Sequence, residues 1–174
     1  MFLLETPRLV IRPWVPDDDR TAYTAITHDL EVMHYVHGGL PHTDQEIDEF
    51  FARQSRQLAE HGVCMGALIE KATGRLLGLA GTQPLGTTGD LEIGWILARD
   101  AWGHGFATEA GDAAMHHVLH ALSRPRVVAI IDPGNEPSKR VAARLGMQFE
   151  ARYSGAQLGH RRPEIVVDLF YRER

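Results

Sequence analysis

The apolar positions of the chain alternate in short runs, and stretches at helical spacing separate these runs. This is the pattern of a mixed α/β protein. Residues 8–15, RLVIRPWV, put Leu9 and Ile11 on one face and predict a first strand. Pro16 followed by Asp17, Asp18 and Asp19 is a helix start, with Tyr23, Ile26 and Thr27 at helical spacing after it. The acidic trio is expected to cap that helix and face water. Residues 30–36 read as a short helical turn, and His37-Gly38-Gly39-Leu40-Pro41 as a loop. Thr43-Asp44-Gln45-Glu46 has the form of a capping box and starts a helix to about His61, with Ile47, Phe50, Phe51, Gln54 and Leu58 on its apolar face. Residues 63–70 and 76–83 read as strands joined by a hairpin turn in which Gly74 supplies a positive φ.

The stretch from Leu91 to Leu119 organises the rest. An apolar strand over 91–98 feeds a glycine turn, Gly103-His104-Gly105, which opens onto a helix from about Phe106, with Ala110, Ala113, Ala114 and Val118 at helical spacing. The first amides of such a helix have no intrahelical partner, and its dipole adds roughly half a positive charge there. Glycines let an anion approach the backbone, so the turn predicts a phosphate site. The Walker pattern is absent, and Thr108 stands where a dinucleotide fingerprint needs its third glycine. Downstream, 126–131 (RVVAII) is a buried strand. The run from Asp132 to Ser138 breaks it and opens a helix through Val141, Ala142 and Leu145, which Gly146 closes. Residues 147–153 and 165–171 alternate as two last strands, with a polar loop holding His160, Arg161 and Arg162 between them.

Composition narrows the class. A length of 174 residues fits one domain spanning 1–174. The single cysteine, Cys64, excludes an internal disulfide and reads as a small core residue. No run approaches membrane-spanning length and none reads as a signal peptide, so a soluble cytoplasmic protein with no membrane partner is expected. A net charge of −5 with interspersed signs and no basic stripe argues against a nucleic-acid partner. His116 and His120 lie i,i+4 on one helix but lack a third ligand, so no metal is expected.

Two strings carry a resemblance. The first is Trp102-Gly103-His104-Gly105-Phe106-Ala107-Thr108-Glu109-Ala110, and the second runs from Asn135 to Met147, NEPSKRVAARLGM. In this order, separated by a helix and a strand, they resemble the cofactor half of the GCN5-related N-acetyltransferases (GNAT). The first is closest in form to the branch of the ribosomal-protein N-terminal acetyltransferases, the RimJ/RimL type. The resemblance implies an α/β (α+β) fold. Its mixed, largely antiparallel twisted sheet has about seven strands flanked by about four helices, with two splayed parallel central strands, here 91–98 and 126–131.

It also implies acetyl-coenzyme A (acetyl-CoA) as co-substrate and a primary amine as acceptor, with the protein acting as an acyltransferase, monomeric or as a homodimer. Trp102, Gly103, His104, Gly105, Phe106, Ala107 and Thr108 would receive the pyrophosphate, with Trp102 in place of the usual Gln or Arg. The backbone of Ile96 and Leu97 and the amide of Asn135 would meet the pantetheine arm, and Ser138 would sit near the sulfur. His34, Tyr35 and His37 lie in the segment implied to cover the acceptor. Glu92, a carboxylate in an apolar strand, is the candidate base, with Glu109 on the first turn of the cofactor helix as its rival. The usual family Tyr, four residues past Ser138, is Ala142 here, which leaves Ser138 or water to protonate the thiolate. The acceptor reads as a protein N-terminal α-amine or as a small-molecule amine or amino acid. A non-catalytic acyl-CoA sensor is a reading from another class.

Overall fold

The computed structural model describes residues 3–174. A two-residue strand β1 (Leu4–Glu5) pairs with β2 (Leu9–Arg12). Helices α1 (Pro16–Thr27), α2 (Leu30–Met33) and α3 (Asp44–His61) follow, then strands β3 (Met65–Glu70), β4 (Leu76–Pro84) and β5 (Leu91–Leu97). Helix α4 (Phe106–His116), strand β6 (Arg126–Ile131), helix α5 (Glu136–Arg144) and strands β7 (Gln148–Ser154) and β8 (Val166–Glu173) complete the chain. Among the described residues eight strands form one sheet, ordered β1-β2-β3-β4-β5-β6-β8-β7.

Every neighbouring pair is antiparallel except β5 and β6, which run parallel and share one ladder pair, Glu92 with Val128. Past that pair the ladder stops and the two strands part, as the family resemblance implies. β1 takes the strand count from the expected seven to eight. α2, a single turn with Asp29 accepting from the Glu31 amide, brings the helices to five.

Alternation along β5 sets the architecture. Leu91, Ile93 and Leu97 point to the face covered by α4, where they join Ala110, Ala114 and Val118. Ile96 points to the opposite face, where Tyr23 of α1 packs with Ile47, Phe50 and Phe51 of α3. By the two-residue period, Glu92 shares that second face. The capping box at Thr43 is formed on both sides, and Gly62 closes α3 with φ 71°.

The acidic trio needs correction at one position. Asp17 and Asp18 are exposed, but Asp19 is 4% exposed. Its carboxylate takes two bonds of 2.8 Å from Arg12 and one of 2.8 Å from the Val15 amide. Burial raises its pKa, and these donors overcome that and hold it below the usual carboxylate range. The first strand also ends at Arg12 instead of residue 15. Pro13 cannot donate to a ladder. Trp14 then turns inward against Tyr23, Phe50 and Phe51, with centroids at 5.0, 5.4 and 5.2 Å, and its Nε1 donates to the Met65 carbonyl at 2.7 Å.

Candidate active site

The parting of β5 and β6 opens two cavities that meet. The larger, about 1380 Å³, lies between the end of β5, the glycine turn, the start of α4 and the first turns of α5. The smaller, about 250 Å³, lies on the α1/α3 face of the sheet. Tyr35, Val36, Trp95, Ile96, Asn135 and Ser138 line both, so they mark the junction.

Trp102, Gly103, Gly105, Phe106, Ala107 and Thr108 all line the larger cavity, as do Ile96 and Leu97. Gly105 is the N-cap of α4 with φ 78°, and no side chain caps that helix end. Gly103 also has a positive φ, 80°. The α4 amides are therefore left to an incoming anion. Trp102 is 46% exposed, and its Nε1 donates to the Leu97 carbonyl at 2.9 Å. His104 does not line either cavity. Its ring leans on Phe106 at 5.7 Å, and its carbonyl accepts from Arg8 at 2.9 Å.

Glu109 lines the larger cavity but is engaged. It accepts from the Thr6 hydroxyl, from the Arg8 amide at 3.0 Å and from Arg8 Nε at 2.6 Å. Burial opposes its ionisation, and these donors outweigh it and hold its pKa low. It ties the start of the chain to the glycine turn.

Glu92 lines the smaller cavity and is 5% exposed. Gln83, its partner in the β4–β5 ladder, donates to one oxygen. Among the described residues the other oxygen, Oε2, has no hydrogen-bond partner. Burial pushes the carboxyl up to about 7, against the Gln83 bond and the nearby Arg161 cation. A carboxyl that changes charge near neutrality, with one free oxygen facing a cavity, can hold or move a proton there.

Asn135 caps α5. Its Oδ1 accepts from the Ser138 amide at 3.1 Å, which leaves its side-chain NH₂ toward the junction as a donor. Ala142 is fully buried and offers no hydroxyl. Of the three residues expected over the acceptor, Tyr35 is at the junction, His37 lines the smaller cavity, and His34 lines only the larger. His37 adopts φ 54° and binds Glu46 at 2.9 Å. The His116 and His120 rings meet at 4.5 Å, tilted by 43°, and among the described residues no group of three His, Cys, Asp or Glu is placed to hold a metal.

Sequence reasoning missed Gln83, Arg53 and Arg161. Gln83 was legible as the residue facing Glu92 across an antiparallel pair. Arg53, three residues beyond Phe50 on the apolar face of α3, was a cation where packing wants none. Arg161 left no signal, because only the folded loop brings it to the cavity.

A sheet with one parallel, parting strand pair, and a glycine turn opening onto an uncapped helix end, are the features that the acyltransferase resemblance implies. Residues 8–148 match the acetyltransferase (GNAT) domain family, and the chain belongs to that family. It is 32% identical over 148 residues to the Bacillus subtilis protein YkkB, covering 84% of this chain and 85% of that one. Among solved structures, the acetyltransferase from Agrobacterium tumefaciens superposes with a TM-score of 0.82 at 24% identity, over 100% of this chain and 95% of that one. The ribosomal-protein-S5-alanine acetyltransferase from Vibrio fischeri superposes with a TM-score of 0.72 at 17% identity, over 99% and 97%. Both share the fold. No helix among the described residues is long and apolar enough to cross a membrane.

Proposed function

We propose that this protein transfers the acetyl group of acetyl-CoA to an α-amine by direct attack on the thioester. The observation that supports this reading is the junction of the two cavities beside Glu92. The larger cavity has the features a long phosphorylated thioester needs. Uncapped α4 amides and the Gly103–Gly105 turn suit a pyrophosphate. The parted edge of β5 offers backbone groups to the amides of a pantetheine arm.

Acetyl-CoA supplies an activated acyl group, and the protein's residues do the rest. Glu92 takes a proton from the incoming ammonium through its unpartnered oxygen. A backbone amide near Leu97 stabilises the developing oxyanion. Ser138, at the junction, gives a hydrogen bond to the departing sulfur, whose free thiol pKa of ~8.5 makes it a tolerable leaving group. The main contribution is holding amine and carbonyl together in a closed space.

The pKa of Glu92 selects among acceptors. A base near 7 lies about 0.8 units below an α-amine and about 3.4 below a lysine, so deprotonation costs roughly 1 kcal/mol for the first and 5 for the second. The RimJ/RimL-type resemblance of the glycine turn points to the same class; the low value is that of a peptide N-terminus, and a free amino acid's amine lies higher because its own carboxylate favours the ammonium form.

Calorimetric titration with acetyl-CoA and with free CoA, on wild type and Gly105→Glu, tests the site. Micromolar binding lost in the variant is expected, since the new carboxylate would face the phosphates. Thiol release with α-amines then separates an enzyme from an acyl-CoA sensor. Failure to bind at millimolar ligand would refute the reading.

A further inference from the structure

The smaller cavity holds more positive charge than the chemistry above uses. Arg53 reaches it from α3, and Arg161 from the loop between β7 and β8. Arg161 makes no ion pair or hydrogen bond among the described residues. Arg53 packs its guanidinium over Phe50, 5.5 Å from the ring, and among the described residues forms no ion pair. Its charged surroundings are Arg161 and Arg56, which repel it, and Glu49, which attracts it from beyond ion-pair distance. Burial first, and Arg161 second, push Arg53 down to about 10, so it remains a cation at neutral pH. Arg162, the third arginine lining the cavity, is bound by Glu164 at 2.9 Å. The Tyr23 hydroxyl, close to both free arginines, makes no hydrogen bond among the described residues.

Two guanidinium groups that repel each other at one cavity, neither of them ion-paired to a carboxylate among the described residues, are stabilised when a ligand brings the anion. Two carboxylates line the same cavity, Glu92 and Asp132, and neither forms an ion pair with Arg53 or Arg161 among the described residues; one oxygen of Glu92 accepts from Gln83, and one of Asp132 from the Gly134 amide. Arginine presents a planar fork that matches a carboxylate. The cavity volume, about 250 Å³, is below the ~300 Å³ at which drug-sized sites begin.

Resting on the acetyl-transfer reading, we infer that the acceptor is a small amine bearing a carboxylate, with the carboxylate held by Arg53 and Arg161 and the amine presented to Glu92. The arrangement has a chemical consequence. A neighbouring carboxylate favours the ammonium form of an amine. Arginines that neutralise that carboxylate make the proton easier to remove, which is the state in which the amine attacks. A peptide N-terminus has its nearest carboxyl locked in an amide and leaves both arginines without a partner.

The test is thiol release from acetyl-CoA with paired acceptors: glycine, alanine, β-alanine and aspartate, the carboxamide of each, and an alanine-initiated peptide amide. Wild type should prefer acids over carboxamides in kcat/KM by roughly tenfold or more, the discrimination of one charge-assisted hydrogen bond. In Arg161→Gln and Arg53→Met the preference should fall toward one, through a raised KM for the acid. Arg161 is exposed, so its variant keeps the test alive if Arg53→Met unfolds. Carboxamides or the peptide used as well as the acids overturn the inference. So does a preference that survives in both variants, or acetyl-CoA binding with no acid turned over. Absence of acetyl-CoA binding, read separately by calorimetry, instead removes the acetyl-transfer reading beneath it.

Discussion

Substituting Gln for Glu92 keeps the side chain's shape and its contact with Gln83 while removing a group that ionises inside the fold. In the unfolded chain this carboxyl loses its proton near 4.5, and in the fold near 7, because burial disfavours its charge. Between those values the folded state binds more protons than the unfolded one. Wild-type stability therefore falls as pH rises through this window and levels off above about 7. The separation corresponds to about 3 kcal/mol. The variant feels none of it. Relative to wild type, Glu92→Gln should gain about 3 kcal/mol between pH 4.5 and pH 8, or roughly 6–12 °C in midpoint for a chain of this size. Any fixed offset from the new amide is the same at both pH values and cancels.

Over the same window, wild-type activity should climb with pH as Glu92 becomes a base, with an inflection near 7. The variant should lose about 10²–10⁴ of kcat. The assays are thermal unfolding by circular dichroism from pH 4 to 9 and thiol release across the same range. Parallel stability curves, or a variant within threefold of wild-type activity, would sink the argument that this carboxyl is buried, raised and catalytic.

Three further outcomes follow from packing. Gly78→Ala in β4 should cost about 3 kcal/mol or more, because its Cβ would sit 2.0 Å from the Ile96 carbonyl oxygen at φ 151°; urea unfolding measures it. Arg12→Met should cost about 3–5 kcal/mol at neutral pH by leaving Asp19 buried and unpaired. That loss should shrink as pH falls through the acid range, since the native pairing holds the Asp19 pKa low. Cys64 is 1% exposed with its thiol pushed up to about 12 by burial, so a thiol reagent should label it only on unfolding, as mass spectrometry would show.

Local signals were legible where local physics decides. The capping box at Thr43, the start of α4 at Phe106 after a glycine turn, and the full extent of β6 could all be read from residue order, because each rests on neighbours within a few positions. The glycine turn and Asn135 are such features too, so the larger cavity could be outlined early. Asp19 was not legible, since its burial depends on Arg12 reaching back from a strand that ends before Pro13. The smaller cavity was legible at Glu92, at Tyr35 and His37 above it, and at the junction residues Ile96, Asn135 and Ser138. Gln83, Arg53 and Arg161 come from a strand, a helix and a loop, and register and tertiary packing bring them together.

The lone ladder pair between β5 and β6 makes the sheet two plates, five strands and three strands, hinged at Glu92 and Val128. A molecule that hydrogen-bonds to the open edge while α5 grips its other side spans both plates and closes the wedge. Amide exchange in β5 and β6 should then slow together on binding. The residue at the pivot is also the buried carboxyl whose pKa burial raises to about 7, so opening of the wedge and the charge of Glu92 meet at one point in the chain.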